Sequence, residues 1–160
     1  MVTVTGGHDT RVSLAALIAV RPGHQARLIF RTHRARRGDK RKGFTEQDYA
    51  RFLDAAHQQL NGPVVLVWDN LNTHTSRAMR ELIAARAWLT VFQLPAYAPE
   101  LNPVEPVWSH LKRSLVNLVK HDIGQLTALV KTRLRRMQYR PGLLDGFLAK
   151  PGLDLGNFHN

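Results

Sequence analysis

Residues 64–68 read Val-Val-Leu-Val-Trp, five apolar side chains in a row, and the run is closed by Asp69. A stretch this short with no polar alternation is the pattern of a strand covered on both faces, not of a half-solvated one. Asn61-Gly62-Pro63 breaks the chain before it, and a polar stretch, Asp-Asn-Leu-Asn-Thr-His, follows it. A strand of this kind requires helices around it. The sequence supplies them on either side, which constrains the fold class more than any bulk property does.

Upstream, Thr45 and Asp48 have capping-box spacing, and Tyr49, Phe52, Leu53, Ala56 and Leu60 recur at helical spacing up to Asn61-Gly62. Downstream, a helix is predicted over residues 76–88, burying Met79, Leu82 and Ile83. A second apolar strand follows at Leu-Thr-Val-Phe-Gln-Leu-Pro. A third helix is predicted from Pro103 to about Val119, with the stripe Val104, Val107, Trp108, Leu111, Leu115 and Leu118. A fourth covers residues 123–138 and buries Leu126, Leu129, Val130 and Leu134. The tail Pro-Gly-Leu-Leu-Asp-Gly-Phe-Leu-Ala-Lys-Pro-Gly-Leu-Asp-Leu is partly apolar and is expected to pack back on the domain. Before all of these, Val2–Thr5 alternates like a short strand. Residues 11–20 read as a strand buried on both faces, and residues 25–32 as its antiparallel return after Arg-Pro-Gly-His. The order of elements is strand, strand, helix, strand, helix, strand, helix, helix, which predicts an α/β domain: a mixed sheet flanked by helices, in one domain over residues 1–160.

The chain has no cysteine, so disulfides and thiolate metal sites are excluded. It shows no secretory leader and no apolar run of membrane-spanning length, so a cytoplasmic, nucleoid-associated location is expected and no membrane partner. Its 23 Lys and Arg against 12 Asp and Glu give a formal charge of +11, which predicts attraction to a polyanion, with nucleic acid first among the candidates. Seven of the twelve residues from Arg31 to Lys42 are basic: Arg31, Arg34, Arg36, Arg37, Lys40, Arg41 and Lys42. They are expected to form a loop that contacts phosphates. Lys112 and Arg113 add to the same set of expected DNA-binding residues.

Two acids stand at element boundaries. Asp69 follows the apolar run, where a carboxylate at the edge of a low-dielectric core is costly unless compensated, and a divalent cation would compensate it. Glu105 follows Asn102-Pro103-Val104. With Asn102 as cap and Pro103 at the first helical position, Glu105 falls at the third, so it reads both as a capping-box carboxylate and as a metal ligand. Either role favours its ionised form. Asn70, Asn72, His74 and Asn102 lie beside these acids and are expected to orient them or the substrate.

These residues carry a resemblance. The stretches Val-Val-Leu-Val-Trp-Asp-Asn-Leu-Asn-Thr-His and Leu-Pro-Ala-Tyr-Ala-Pro-Glu-Leu-Asn-Pro-Val-Glu-Pro-Val-Trp resemble the catalytic domain of DDE transposases, in the bacterial insertion-sequence branch of the Tc-mariner superfamily. Asp69 and Glu105, with 35 residues between them, match the second and third acids of that family. The resemblance implies an RNase H-like fold, two Mg²⁺ or Mn²⁺ ions, and DNA partners at both transposon ends and target. It also implies DNA cleavage and strand transfer by phosphoryl transfer, and pairing of two protomers. The family's first catalytic Asp, on its central first strand, has no match here. Asp9 sits in a Gly-Gly-His-Asp turn and is not expected to replace it. The chain is therefore expected to be the C-terminal portion of such an enzyme, inactive without an upstream transposase segment. The alternative is a catalytically dead remnant that binds DNA only electrostatically.

Overall fold

The structure, a computed structural model, describes residues 2–5, 10–36, 39, 43–96, 98–115 and 123–149. Arg37, Lys40, Arg41 and Lys42 lie outside the described residues, as does the side chain of Arg36 and the expected helical stretch beyond Leu115. The chain divides into two compact units. One comprises residues 1–43 and 103–160, the other Phe44–Asn102.

In the first unit, β1 (Val2–Thr5), β2 (Thr10–Ala19) and β3 (Arg27–Arg36) form an antiparallel sheet with β2 in the middle. The β2–β3 ladder is fully in register from Thr10↔Arg36 to Ala19↔Arg27. The turn that makes this pairing possible is Arg21-Pro22-Gly23-His24. Proline fixes its first central residue, Gly23 takes φ +73°, and the His24 N–H donates to the Arg21 carbonyl at 3.0 Å. The strand β2 is covered on both faces only in its first half: Val12, Ser13, Leu14 and Ala15 are buried, whereas Ala16–Ala19 are half-buried and Val20 is 37% exposed, against expectation. The strand β3 runs further than expected. It continues through Arg36, so Arg31 and Arg34 lie on a strand and not in a loop. Residues 33–36 pair with Thr10–Ser13 of β2, and these ladder hydrogen bonds outweigh the charge of the stretch.

Three helices complete this unit: α4 (Glu105–Leu115), α5 (Ile123–Gln138) and α6 (Pro141–Ala149). Their apolar stripes meet the sheet in one core of Val12, Leu14, Leu28, Val107, Trp108, Leu111, Val130, Leu134, Leu144 and Phe147, among others. Leu126, Val130 and Leu134 are buried as predicted, whereas Leu129 is only half-buried. The amide of Gln138 donates to the Leu28 carbonyl at 2.6 Å, tying the end of α5 to β3. The first part of the apolar tail is the helix α6, with Leu144, Phe147 and Leu148 turned inward, and the tail beyond Ala149 lies outside the described residues.

In the second unit, α1 (Glu46–Leu60) has the expected capping box. Thr45 Oγ1 accepts from the Asp48 N–H, and the Asp48 carboxylate accepts from the Thr45 N–H at 2.9 Å. Asn61 closes the helix in the left-handed conformation, φ 50°. The strands β4 (Val64–Trp68) and β5 (Leu89–Gln93) pair in parallel, joined by the short α2 (Asn72–Thr75) and α3 (Arg77–Ala84). Ser76 caps α3, its hydroxyl accepting from the Met79 N–H at 3.1 Å. The helix ends at Ala84, short of the predicted residue 88, and only Met79 on it is fully buried.

The strand β4 departs from expectation. Leu66 and Trp68 are buried, but Val65 and Val67 are 67% and 56% exposed, and Phe92 on β5 is 59% exposed. A ladder of two strands offers cover to one face only, so the run is apolar on both sides but buried on one. The strands as a whole fall into two sheets, one antiparallel and one parallel, and not into a single ladder. The result is still a mixed α/β structure of sheets flanked by helices.

Candidate active site

Asp69 sits where β4 ends, and the local sequence folds back to hold it. The chain leaves the strand, and Leu71 donates its N–H to Asp69 Oδ1 at 3.3 Å. The chain then turns into α2, which carries His74. The expected loop is therefore a single helical turn. This turn swings the imidazole back over the strand end. His74 Nδ1 lies 2.8 Å from Asp69 Oδ1 and 3.2 Å from the Asp69 backbone carbonyl. Both neighbours are acceptors, so Nδ1 carries the proton and donates.

Aromatic packing fixes the ring. His74 stacks on Trp68 with centroids 4.1 Å apart and planes 1° from parallel, and Tyr49 of α1 meets it edge-on at 4.7 Å. The His74 side chain is 7% exposed while that of Asp69 is 38% exposed. A rigid, buried donor thus presents a half-open carboxylate. Asn70, next along, sends its amide to the Leu94 carbonyl at 2.7 Å and ties the end of β4 to the end of β5. The Trp68 carbonyl accepts from the Leu94 N–H at 2.8 Å, which continues the same tie.

The electrostatics follow from these contacts. The His74 hydrogen bond holds the Asp69 carboxyl below the usual carboxylate range. Partial burial opposes that shift, and the Leu71 N–H adds to it. The Tyr49 phenol is pushed well above its ordinary value, first by burial and then by the nearby Asp69 carboxylate. Asp69 is therefore an anion and Tyr49 a neutral phenol across the neutral range.

The sequence places Asp69, Asn70 and His74 in one cluster, and the structure does so too. Asn72 opens α2 and is exposed, and Asn102 is half-buried at the end of the second unit. Glu105 lies in the first unit, half-buried, as the first residue of α4. The helix begins later than predicted. The Val104 carbonyl accepts the Trp108 N–H at 3.3 Å, so Glu105 opens the helix instead of standing third in it. Of the expected DNA-binding residues, Arg31, Arg34, Lys112 and Arg113 are exposed, and all four belong to the first unit. Three residues apart on one strand, Arg31 and Arg34 leave it on opposite faces. Trp68 and Tyr49 were readable only as core from the sequence. Their part in holding His74 depends on the packing of α1, which no local pattern encodes.

A divalent cation suits the donor chemistry at Asp69. Among the described residues both hydrogen bonds to its carboxylate go to Oδ1, and the carboxylate is ionised and 38% exposed, as a ligand for a hard cation must be. Among the described residues no group of three or more His, Cys, Asp or Glu converges on one point.

Comparison with known proteins places this chain in a family. The family described as DDE superfamily endonuclease matches residues 7–127. Among solved structures, the Mos1 transposase paired-end complex with left transposon end is similar at TM-score 0.54 and 14% identity. The match covers 89% of this chain and 55% of that one. The catalytic domain of Mos1 mariner transposase is similar at TM-score 0.52 and 16% identity, over 88% of this chain and 81% of that one. The same catalytic domain with Raltegravir and Mn gives TM-score 0.51, 15% identity, and 88% and 82% coverage. The chain thus spans about half the length of the transposase in the paired-end complex. No curated protein matches the sequence significantly. The family match covers most of the chain and the fold agrees with it: this chain belongs to the DDE superfamily endonucleases and has the RNase H-like fold of a mariner transposase catalytic domain.

Proposed function

We propose that this chain is the catalytic-domain portion of an insertion-sequence transposase that cuts and joins DNA by divalent-metal-assisted phosphoryl transfer. Asp69 and Glu105 are the carboxylates this chain gives to the metal site. The observation that carries the reading is the Asp69–His74 pair at 2.8 Å, which keeps a half-exposed carboxylate ionised and fixed at a strand end. Mg²⁺ or Mn²⁺ bound there would polarise a phosphate oxygen and favour deprotonation of the attacking hydroxyl. Water adds to phosphorus, the bond to the 3′-oxygen breaks, and the products are a 5′-phosphate and a 3′-hydroxyl. That hydroxyl then attacks a target phosphodiester and releases a new 3′-hydroxyl, so one phosphodiester is exchanged for another.

The chain's own part is to hold Asp69 in place through His74 and Leu71, to keep Tyr49 neutral beside it, and to bring basic surface to the DNA. Two carboxylates are fewer than the two-ion site of the family uses. We therefore assign the remaining acid to a further transposase segment, in line with the 55% coverage of the paired-end complex chain. Two protomers pair at two DNA ends in this reading. The test is cleavage of transposon-end DNA by a transposase polypeptide containing residues 1–160. Asp69→Asn and Glu105→Gln should each lower cleavage by about a thousandfold or more while leaving duplex binding intact. Wild-type cleavage by either variant refutes the assignment. Unchanged DNA binding with no metal-dependent cleavage by any form would favour the purely electrostatic reading.

A further inference from the structure

The positive charge of this protein is not spread evenly. Nineteen of its 23 Lys and Arg residues and six of its 12 acids lie in the unit formed by residues 1–43 and 103–160. The other unit, which carries Asp69, holds four basic residues and six acids. The whole positive excess therefore sits on the first unit.

Within that unit, α5 concentrates it. The helix Ile123–Gln138 contains no acid at all. Its inward face is apolar, with Leu126, Val130, Leu134 and Met137 in the core. Its outward face presents Lys131, Arg135 and Arg136, and the chain just beyond it presents Tyr139 and Arg140, all exposed. Among the described residues Tyr139 is the most exposed of the large hydrophobic side chains, at 85%. Lys131 and Arg135 stand one turn apart on the helix, so each faces a like charge where a helix would ordinarily place an acid, and Arg140 extends the charge past its end. The favourable interaction of cations with a helix C-terminus offsets this only for the last turn. The Gln138–Leu28 hydrogen bond fixes the rotation of the helix and keeps this ridge pointing outward.

We infer that the outward ridge of α5, Lys131, Arg135, Arg136, Tyr139 and Arg140, is a docking surface for the phosphate backbone of duplex DNA. A helix ridge of exposed cations with no acid on the helix complements a polyanion, and guanidinium groups and a phenol hydroxyl are phosphate donors. The contact is sequence-independent and serves to position the DNA. It rests on the transposase reading, and the Arg31–Lys42 stretch plays no part in the argument for it.

The experiment measures binding of the 160-residue chain to a 30-base-pair duplex across a salt series. Three proteins are compared: wild type, the triple variant Lys131→Gln/Arg135→Gln/Arg136→Gln, and a control that removes the same charge from the other unit, Arg51→Gln/Arg77→Gln/Arg80→Gln. All six positions are exposed, and a thermal melt confirms folding. The ridge variant should bind about tenfold more weakly at moderate salt. Its slope of log affinity against log salt should be shallower by roughly two to three, one for each lost phosphate contact. The control should bind like wild type. Equal losses in both variants, or none in the ridge variant, overturn the inference while leaving the transposase reading intact. Failure of the wild type to bind duplex at low salt overturns both.

Discussion

His74 donates through Nδ1 to Asp69 Oδ1 at 2.8 Å, and the acceptor belongs to the last residue before the chain turns away from β4. The donor is buried and the acceptor is half-open. That asymmetry gives the pair its use, because the imidazole cannot wander and the carboxylate can still meet a cation. The first prediction separates the N–H from the ring. His74→Phe keeps the stack on Trp68 but removes the donor, so the Asp69 pKa should rise toward its ordinary value in a carboxyl ¹³C NMR titration. Metal affinity should fall by about 10–100-fold, the range seen when a ligand loses its supporting hydrogen bond. An Asp69 titration unchanged in the variant would show that the pair does not set the charge.

The same shift has a consequence for stability. The folded-state pKa of Asp69 is depressed below its ordinary value of 3.8, so its contribution is fully present above that value. It is lost as pH falls through the folded-state pKa. The stability difference between wild type and Asp69→Asn should therefore be constant from neutral pH down to about 4 and shrink below it. Urea unfolding at a series of pH values checks this. A difference that grows on acidification would have the wrong sign.

A second ion pair holds the helix α1 to the turn that follows α3. Arg86 donates from Nε to Asp54 Oδ1 at 2.6 Å and from Nη2 to Oδ2 at 2.7 Å, a two-pronged contact. The hydrogen bonds from Arg86 lower the Asp54 pKa despite slight burial. Because the Asp54 side chain is 42% exposed, solvent screening discounts the pair. Asp54→Asn should cost about 1 kcal/mol in denaturant unfolding, and less at high salt. A loss that grows with salt would contradict the screened ion pair.

Packing gives a larger effect. Met79 and Leu134 are both 0% exposed, one in each unit. Alanine at either position should cost about 2–5 kcal/mol. Calorimetry or denaturant unfolding of Met79→Ala and Leu134→Ala tests the two cores separately. A loss under about 1 kcal/mol at either position would mean that its core is not packed as described.

Local patterns carried much of this structure, and the failures share one cause. The capping box of Thr45 and Asp48, the left-handed Asn61, the Pro22-Gly23 turn and the bounds of α5 depend on neighbours in sequence, and all were legible. Charge runs are usually solvated, so the sequence ends the strand at Thr32 and puts residues 33–36 in the loop that follows. The ladder partner on β2 that makes them a strand lies across the hairpin. Val65 and Val67 read as buried because they are apolar, but burial needs a covering layer and not just an apolar side chain. At the site, Asp69, Asn70 and His74 were readable as a group from their spacing. The Tyr49 and Trp68 rings that clamp His74 were not, since they converge only when α1 packs on the strand end. Glu105 is legible as an acid at a helix start, though it stands two positions nearer the start than the Asn102-Pro103 pattern suggests.

The central claim is that the Asp69 carboxylate is a ligand for a divalent ion, and it can be watched directly. Mn²⁺ is titrated into carbon-labelled protein while the side-chain carboxyl signals are followed for paramagnetic broadening. The account predicts that the Asp69 signal broadens ahead of the other carboxyls, and that the tightest Mn²⁺ binding disappears in Asp69→Asn. Mn²⁺ binding of equal affinity in that variant, or an Asp69 signal that stays sharp while other acids broaden, would contradict it.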